Sequence, residues 1–266
     1  MKCILIQIIP GSHIYNMAVA IRSSASSSIT SAGTTVTVNK PTGLTVGDVM
    51  IATVYMNSAA GGSGPSGWDT LASNDFVANS VWGKVADASD VAASNFTWTS
   101  NNSGNAKVAG ITAFTGANYD NIQISSLSAP TNSSSPTFTN GLTPAVASSM
   151  LILSIQDINI NAGTLATFAI TTSDPGGWAA GVNTTRAGSV GVTMATAIRV
   201  QTTATGSYSC TNTDGDTTES YFGWMLALPP QTGPTNAKTI NGLTMASVKT
   251  VNNLTISSVE TVNGLT

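Results

Sequence analysis

The sequence predicts an all-β protein: a jelly-roll-like β-sandwich with an internally duplicated strand pattern, followed by a short C-terminal β repeat. Three observations carry this reading. Only 8% of the 266 residues are charged, against about a quarter in ordinary domains, so Thr, Ser, Asn and Gly must supply the polar surface, as they do in strands and turns. A set of landmarks recurs in one order along the chain. The last residues repeat every eleven positions, with Ile240, Val251 and Val262 in step.

The recurring landmarks begin with residues 41–54, PTGLTVGDVMIATV, a turn followed by an apolar strand, which returns as TPAVASSMLILSI at 143–155. Pro65-Ser-Gly-Trp68 is answered by Pro175-Gly-Gly-Trp178, and Phe96-Thr-Trp98-Thr by Tyr208-Ser-Cys210-Thr. The apolar stretch from Ala109 to Phe114 is answered by that from Tyr221 to Leu228. Repetition of this kind points to a duplicated β architecture. The expected organisation is a leader or N-terminal arm over 1–20, a body over 21–232 with halves at about 34–116 and 137–230, and the repeat over 233–266.

Taken in order, residues 1–20 hold a short apolar run broken by Gln7 and Pro10. They read either as a secretory signal with a small-residue site at Ala18 to Ala20 or as an extension upstream of Met17. Residues 23–31 are a Ser-rich tether, and 34–40 alternate as a half-buried strand. Residues 57–67, with four glycines and three serines, are expected to be an exposed loop. Trp68 then follows a Pro-Ser-Gly turn. It is either a strand-start anchor or, with Trp178, a ligand contact on which a sugar stacks.

Strands are expected at 80–86, 96–99 and 106–115. In the ADASD turn between the first two, Asp87 and Asp90 read as a solvated pair, with calcium the alternative. Residues 125–136 link the halves across the surface. Strands recur near 150–155, 190–200, 206–212 and 221–228. Between the last two lies the densest acidic cluster, where Asp214, Asp216 and Glu219 are the candidate calcium ligands. It lacks the spacing of an EF-hand loop, and an Asp-Gly turn with acidic flanks is the plainer reading.

The terminal repeat reads TINGLTMASVK, TVNNLTISSVE, TVNGLT. On a helix its apolar positions would spread over about 200°, which is no stripe, whereas Thr, Val, Ile and Asn-Gly favour strands joined by tight turns. Hairpins this short cannot bury their apolar residues alone. The repeat is therefore expected to oligomerise or dock through Ile240, Leu243, Met245, Val248, Val251, Leu254, Ile256 and Val259.

These motifs resemble the terminal repeats and β-sandwich bodies of bacteriophage virion structural proteins. The resemblance rests on TxNGLxIxSVK, PTGLTVGDVMIATV and PSGW, and spans most of residues 19–266. It implies a tail fibre, spike or head-decoration protein, located in the virion. Such a protein self-assembles, as a homotrimer or with other virion subunits, and displays loops to a host cell-surface glycan. The alternative is a secreted, extracellular adhesin or carbohydrate-binding module.

The chemistry points the same way. The sole histidine, His13, lies in the leader, so no nucleophile system with an imidazole base can be built in the body. No pair among the twelve acidic residues is singled out as a glycosidase pair. No enzyme activity is expected. Net charge is −3 with scattered Lys and Arg, which excludes a phosphate-neutralising stripe and nucleic acid as a partner. Cys3 and Cys210 form no disulfide framework, and apolar runs fall short of the ~18 residues that span a bilayer, so no membrane insertion is expected.

Overall fold

The computed structural model describes residues 18–29, 31–56, 62–73, 79–104, 107–127, 137–138, 142–159, 168–172, 179–186, 191–201, 208–212, 220–231, 239–240, 243–244, 250–251 and 254–255. The chain divides into two compact units: Val19–Pro230, and Met1–Ala18 together with Gln231–Thr266.

The first half of Val19–Pro230 contains β1 (Ala20–Ile29), β2 (Gly33–Asn39), β3 (Val49–Met56), β4 (Gly62–Ser63), β5 (Asp69–Ser73), β6 (Asn79–Val85), α1 (Ala88–Ala92), β7 (Asn95–Gly104) and β8 (Lys107–Thr115). The second half contains β9 (Gln123–Leu127), β10 (Thr137–Phe138), β11 (Ser149–Asn159), β12 (Phe168–Thr172), β13 (Ala179–Arg186), β14 (Gly191–Gln201), β15 (Tyr208–Asn212) and β16 (Ser220–Leu228). They assemble into a five-stranded sheet β1-β8-β3-β6-β5, a three-stranded sheet β2-β7-β4, a second five-stranded sheet β13-β14-β11-β16-β9 and a second three-stranded sheet β10-β15-β12. Every pairing is antiparallel. The protein is all-β, with antiparallel sheets packed in the manner of a β-sandwich.

β3 shows why. Its eight residues, VMIATVYM, are all buried, so the strand lacks the one-sided alternation of a half-exposed sheet and must be covered on both faces. The even-numbered positions Met50, Ala52, Val54 and Met56 join Val36, Val38, Phe96 and Trp98 of the three-stranded sheet in one core. The odd-numbered positions Val49 and Ile51 join Val81 and Phe114 with Met150, Ile152, Trp224, Leu226 and Leu228 in another. The two five-stranded sheets therefore share a core. At its centre the Ser154 hydroxyl donates to Thr53 Oγ1 at 3.1 Å, both residues buried. At one end Asn118 N donates to Pro229 O at 2.8 Å, where Ala117 bridges Pro230.

Four sequence expectations are corrected. Residues 23–31 are no tether: most of them belong to β1, paired with β8 from Ala20 to Ile29. The linking passage begins later than expected, because Gln123–Leu127 is β9, paired with β16; residues 128–136 lie outside the described residues. The loop over 57–67 is not wholly exposed. Gly62–Ser63 pairs with β7, and Gly64 lies so close to the Trp82 ring that a Cβ would stand 2.6 Å from it. The ADASD turn holds a short helix, α1. Val19, just before β1, is buried in the shared core.

In the second unit two hairpins are described. β17 (Thr239–Ile240) pairs with β18 (Leu243–Thr244), and β19 (Thr250–Val251) with β20 (Leu254–Thr255). In each, an apolar pair closes the hairpin, Ile240 with Leu243 and Val251 with Leu254, leaving two residues between the partners. Two-residue connections are what Asn-Gly turns favour. The pairing persists in the second hairpin, where Asn253 replaces glycine.

Candidate functional site

Among the described residues, carboxylates are engaged by side-chain partners at three places, each near the strand ends that present it. The first lies where the chain turns into β3. Asp48, 3% exposed, is gripped by the Arg22 guanidinium: Nη2 donates to its Oδ1 at 3.0 Å, and Nε donates to its Oδ2. Thr45 N donates to Oδ2 at 2.9 Å and the Thr45 hydroxyl at 3.1 Å. Gly47, with φ of 92°, supplies the left-handed backbone this turn requires. The carboxylate has no face left for a ligand.

The second place is α1 and the end of β6. Asp87 caps the helix, accepting from Ser89 N at 2.7 Å, Ser89 Oγ at 2.5 Å and Asp90 N at 3.0 Å. Asp90 reciprocates by accepting from Asp87 N at 2.9 Å, which closes a capping box. Lys84 Nζ stands 3.2 Å from Asp87 and 2.9 Å from Asp90. Hydrogen bonds from Ser89, Asp90 and Lys84 hold the Asp87 carboxyl well below the usual carboxylate range. Burial works against the Lys84 charge, but its bonds to Asp90 and Asp87 outweigh it and raise the ammonium above its ordinary value. Both carboxylates are thus occupied by the helix terminus and a lysine, and Asp90, 5% exposed, is buried, which corrects the expectation of a solvated pair.

The third place is the sheet edge at Tyr119, whose hydroxyl donates to Asp69 Oδ2 at 2.8 Å. Burial, then the Asp69 hydrogen bond and charge, push this phenol up. Deeper in the first half, Lys107 is 1% exposed and its Nζ donates to Ser31 O and Gly33 O, each at 3.0 Å. This lysine ties the β1–β2 turn to β8. Among the described residues no group of three or more His, Cys, Asp or Glu side chains could hold a metal ion. No described helix is long and apolar enough to cross a membrane.

Trp68 is placed in the core and not on the surface. It is 7% exposed and stands edge-on to Phe96 at 5.3 Å and Trp98 at 5.4 Å between ring centroids. Its stacking face is covered, which corrects the ligand-contact reading and leaves the anchor. Trp178, Asp214, Asp216, Glu219, Met245, Val248, Ile256 and Val259 lie outside the described residues. Ile240, Leu243, Val251 and Leu254 are brought together in pairs by the two hairpins. Sequence reasoning missed the Arg22–Asp48 clamp, which joins residues 26 positions apart. The capping box was within reach, since Asp87 and Asp90 have its three-residue spacing. Comparisons with protein-family models, curated proteins and solved structures find no match to the chain.

Proposed function

We propose that Val19–Pro230 is a tandem pair of jelly-roll-like sandwiches, and that the chain is a structural component of a bacteriophage virion. It would serve as a tail fibre, spike or head-decoration protein that assembles through its terminal repeat and displays loops for host-surface contact. One observation carries this reading. Adding eight to each strand number turns β1-β8-β3-β6-β5 into β9-β16-β11-β14-β13 and β2-β7-β4 into β10-β15-β12, the two sheets of the second half. Rolling eight antiparallel strands into two sheets places strands 1-8-3-6 together and 2-7-4 together, which is the jelly-roll order. Here β5 joins β6 in place of β4.

Smaller details agree. The register breaks between Thr70 and Ala72 on β5 and between Ala180 and Asn183 on β13, the strand eight further on. Phe96 pairs Val38, and Tyr208, its counterpart in the sequence landmarks, pairs Phe138 on β10. The carboxylates of Asp48, Asp87, Asp90 and Asp69 are all engaged in holding the fold, as suits a scaffold. Each terminal hairpin is too short to be stable alone, so its apolar pairs need a surface from another subunit.

The test is the solution mass, by light scattering, of the intact chain and of a truncation lacking residues 239–266. The expected result is a trimer that becomes a folded monomer. A truncated body that keeps the full oligomeric mass would overturn assembly through the repeat.

A further inference from the structure

We infer that the face shared by the two five-stranded sheets is a heterotypic recognition surface: the first half accepts the second half and not a copy of itself, with Trp224 as the residue that decides the pairing. This rests on reading the two halves as equivalent units. With β3 set on β11 so that Thr53 matches Ser154, the registers match whole rows. Ser26, Gly110, Thr53 and Val81 lie side by side across β1, β8, β3 and β6. Ser126, Trp224, Ser154 and Thr196 lie side by side across β9, β16, β11 and β14.

In these two rows the central hydroxyls meet, Thr53 with Ser154, and the outer serines correspond, Ser26 with Ser126. Elsewhere the rows differ at two places: Val81 answers Thr196, residues of similar size, whereas Gly110 stands where the second half has Trp224, the one large change in bulk. Trp224 is 5% exposed and belongs to the shared core with Val81, against which Leu71 and Tyr119 also pack. On the Gly110 side, β1 and β8 instead run close against β13. The interface therefore fills one flank with an indole and closes the other by backbone approach.

A homotypic pairing cannot reproduce this. Two first halves would put glycine on both flanks and leave a cavity the size of the missing indole, which interiors tolerate poorly. Two second halves would put an indole on both flanks, including the one that needs close approach, and overpack it. One large and one small residue at equivalent positions thus give the surface both an attractive element and a repulsive one, the combination that specificity requires. The partner this face fits is the second half, from the same chain or from another copy.

The experiment uses the whole chain with a protease site placed at Asp120–Asn121, in the exposed turn between β8 and β9, and cut after folding, so that β9 stays with the second half. Light scattering over a dilution series reads the pairing of the two pieces. The expected result is a 1:1 complex of unlike halves. Trp224→Gly should weaken it at least ~100-fold in Kd. Trp224→Leu, which keeps an apolar side chain and guards against misfolding, should weaken it by about tenfold. Dimers of a single half in the cut protein would overturn the inference, as would a Trp224→Leu complex as tight as the unsubstituted one. If the unsubstituted halves separate as soon as they are cut, the shared-core reading itself fails, and with it the equivalence on which this rests.

Discussion

Tyr55 shows how one buried side chain sets a pH limit on the fold. It lies in β3 between Asn79 and Val108, and burial pushes its phenol up to about 12 from the ordinary 10.0. The folded chain therefore keeps a proton that the unfolded chain releases above about pH 10. The stability this group contributes is complete below that pH and is lost as the pH rises to about 12, a loss of up to ~2–3 kcal/mol. Tyr119 and Lys84, both raised as well, add to the alkaline slope. Urea titrations between pH 9 and 12 should show Tyr55→Phe with a shallower loss of stability than the parent; an equal slope would mean that the phenol is not held neutral by burial. At this scale the sequence was informative where chemistry is local. Trp68 after its Pro-Ser-Gly turn reads as an anchor, and it packs on Phe96 and Trp98. The buried indole N–H groups of Trp68, Trp98 and Trp224 have no acceptor among the described residues, a feature no sequence pattern announces.

At the scale of elements, α1 is short, so its terminus rather than its length holds it in place. Removing the cap acceptor with Asp87→Ala should lower the melting temperature, whereas Asp87→Asn keeps an oxygen for Ser89 N and Asp90 N and should recover most of the loss. Equal losses in the two variants would assign the effect to the Lys84 ion pair instead. The apolar strands β3, β8, β11 and β16 were legible because their own residues demand burial. β1 was not, since AIRSSASSSI carries only Ala25 and Ile29 toward the first-half core. Its strand character comes from its partner β8, from the Ser24–Thr112 hydroxyl pair at 2.9 Å and from Arg22 on Asp48. β12 and β13 escaped for a similar reason: small and polar residues pair in register with β15 and β14 without an apolar run to mark them. The terminal hairpins were legible in the opposite sense, because an Asn-Gly step between Ile240 and Leu243 states both the turn and the pairing.

For the molecule as a whole, the landmarks that recur in sequence and the strand order of the sheets in Val19–Pro230 are what the proposed duplication rests on. What the sequence left open was how the two halves of Val19–Pro230 meet, since that depends on which face of a doubly buried strand looks outward. β3 divides its residues between two cores, and only the pleat shows that Val49, Ile51 and Thr53 face the second half. The most direct measurement is a disulfide across that face. In a chain carrying Thr53→Cys and Ser154→Cys, with Cys3→Ser and Cys210→Ser to remove other thiols, mass spectrometry under mild oxidation should find the two introduced sulfurs joined within one chain. Their hydroxyl predecessors are 3.1 Å apart, a spacing compatible with a bridge once the side chains adjust. Two thiols that stay free and open to alkylation in the folded protein would contradict the face-to-face packing on which the account depends.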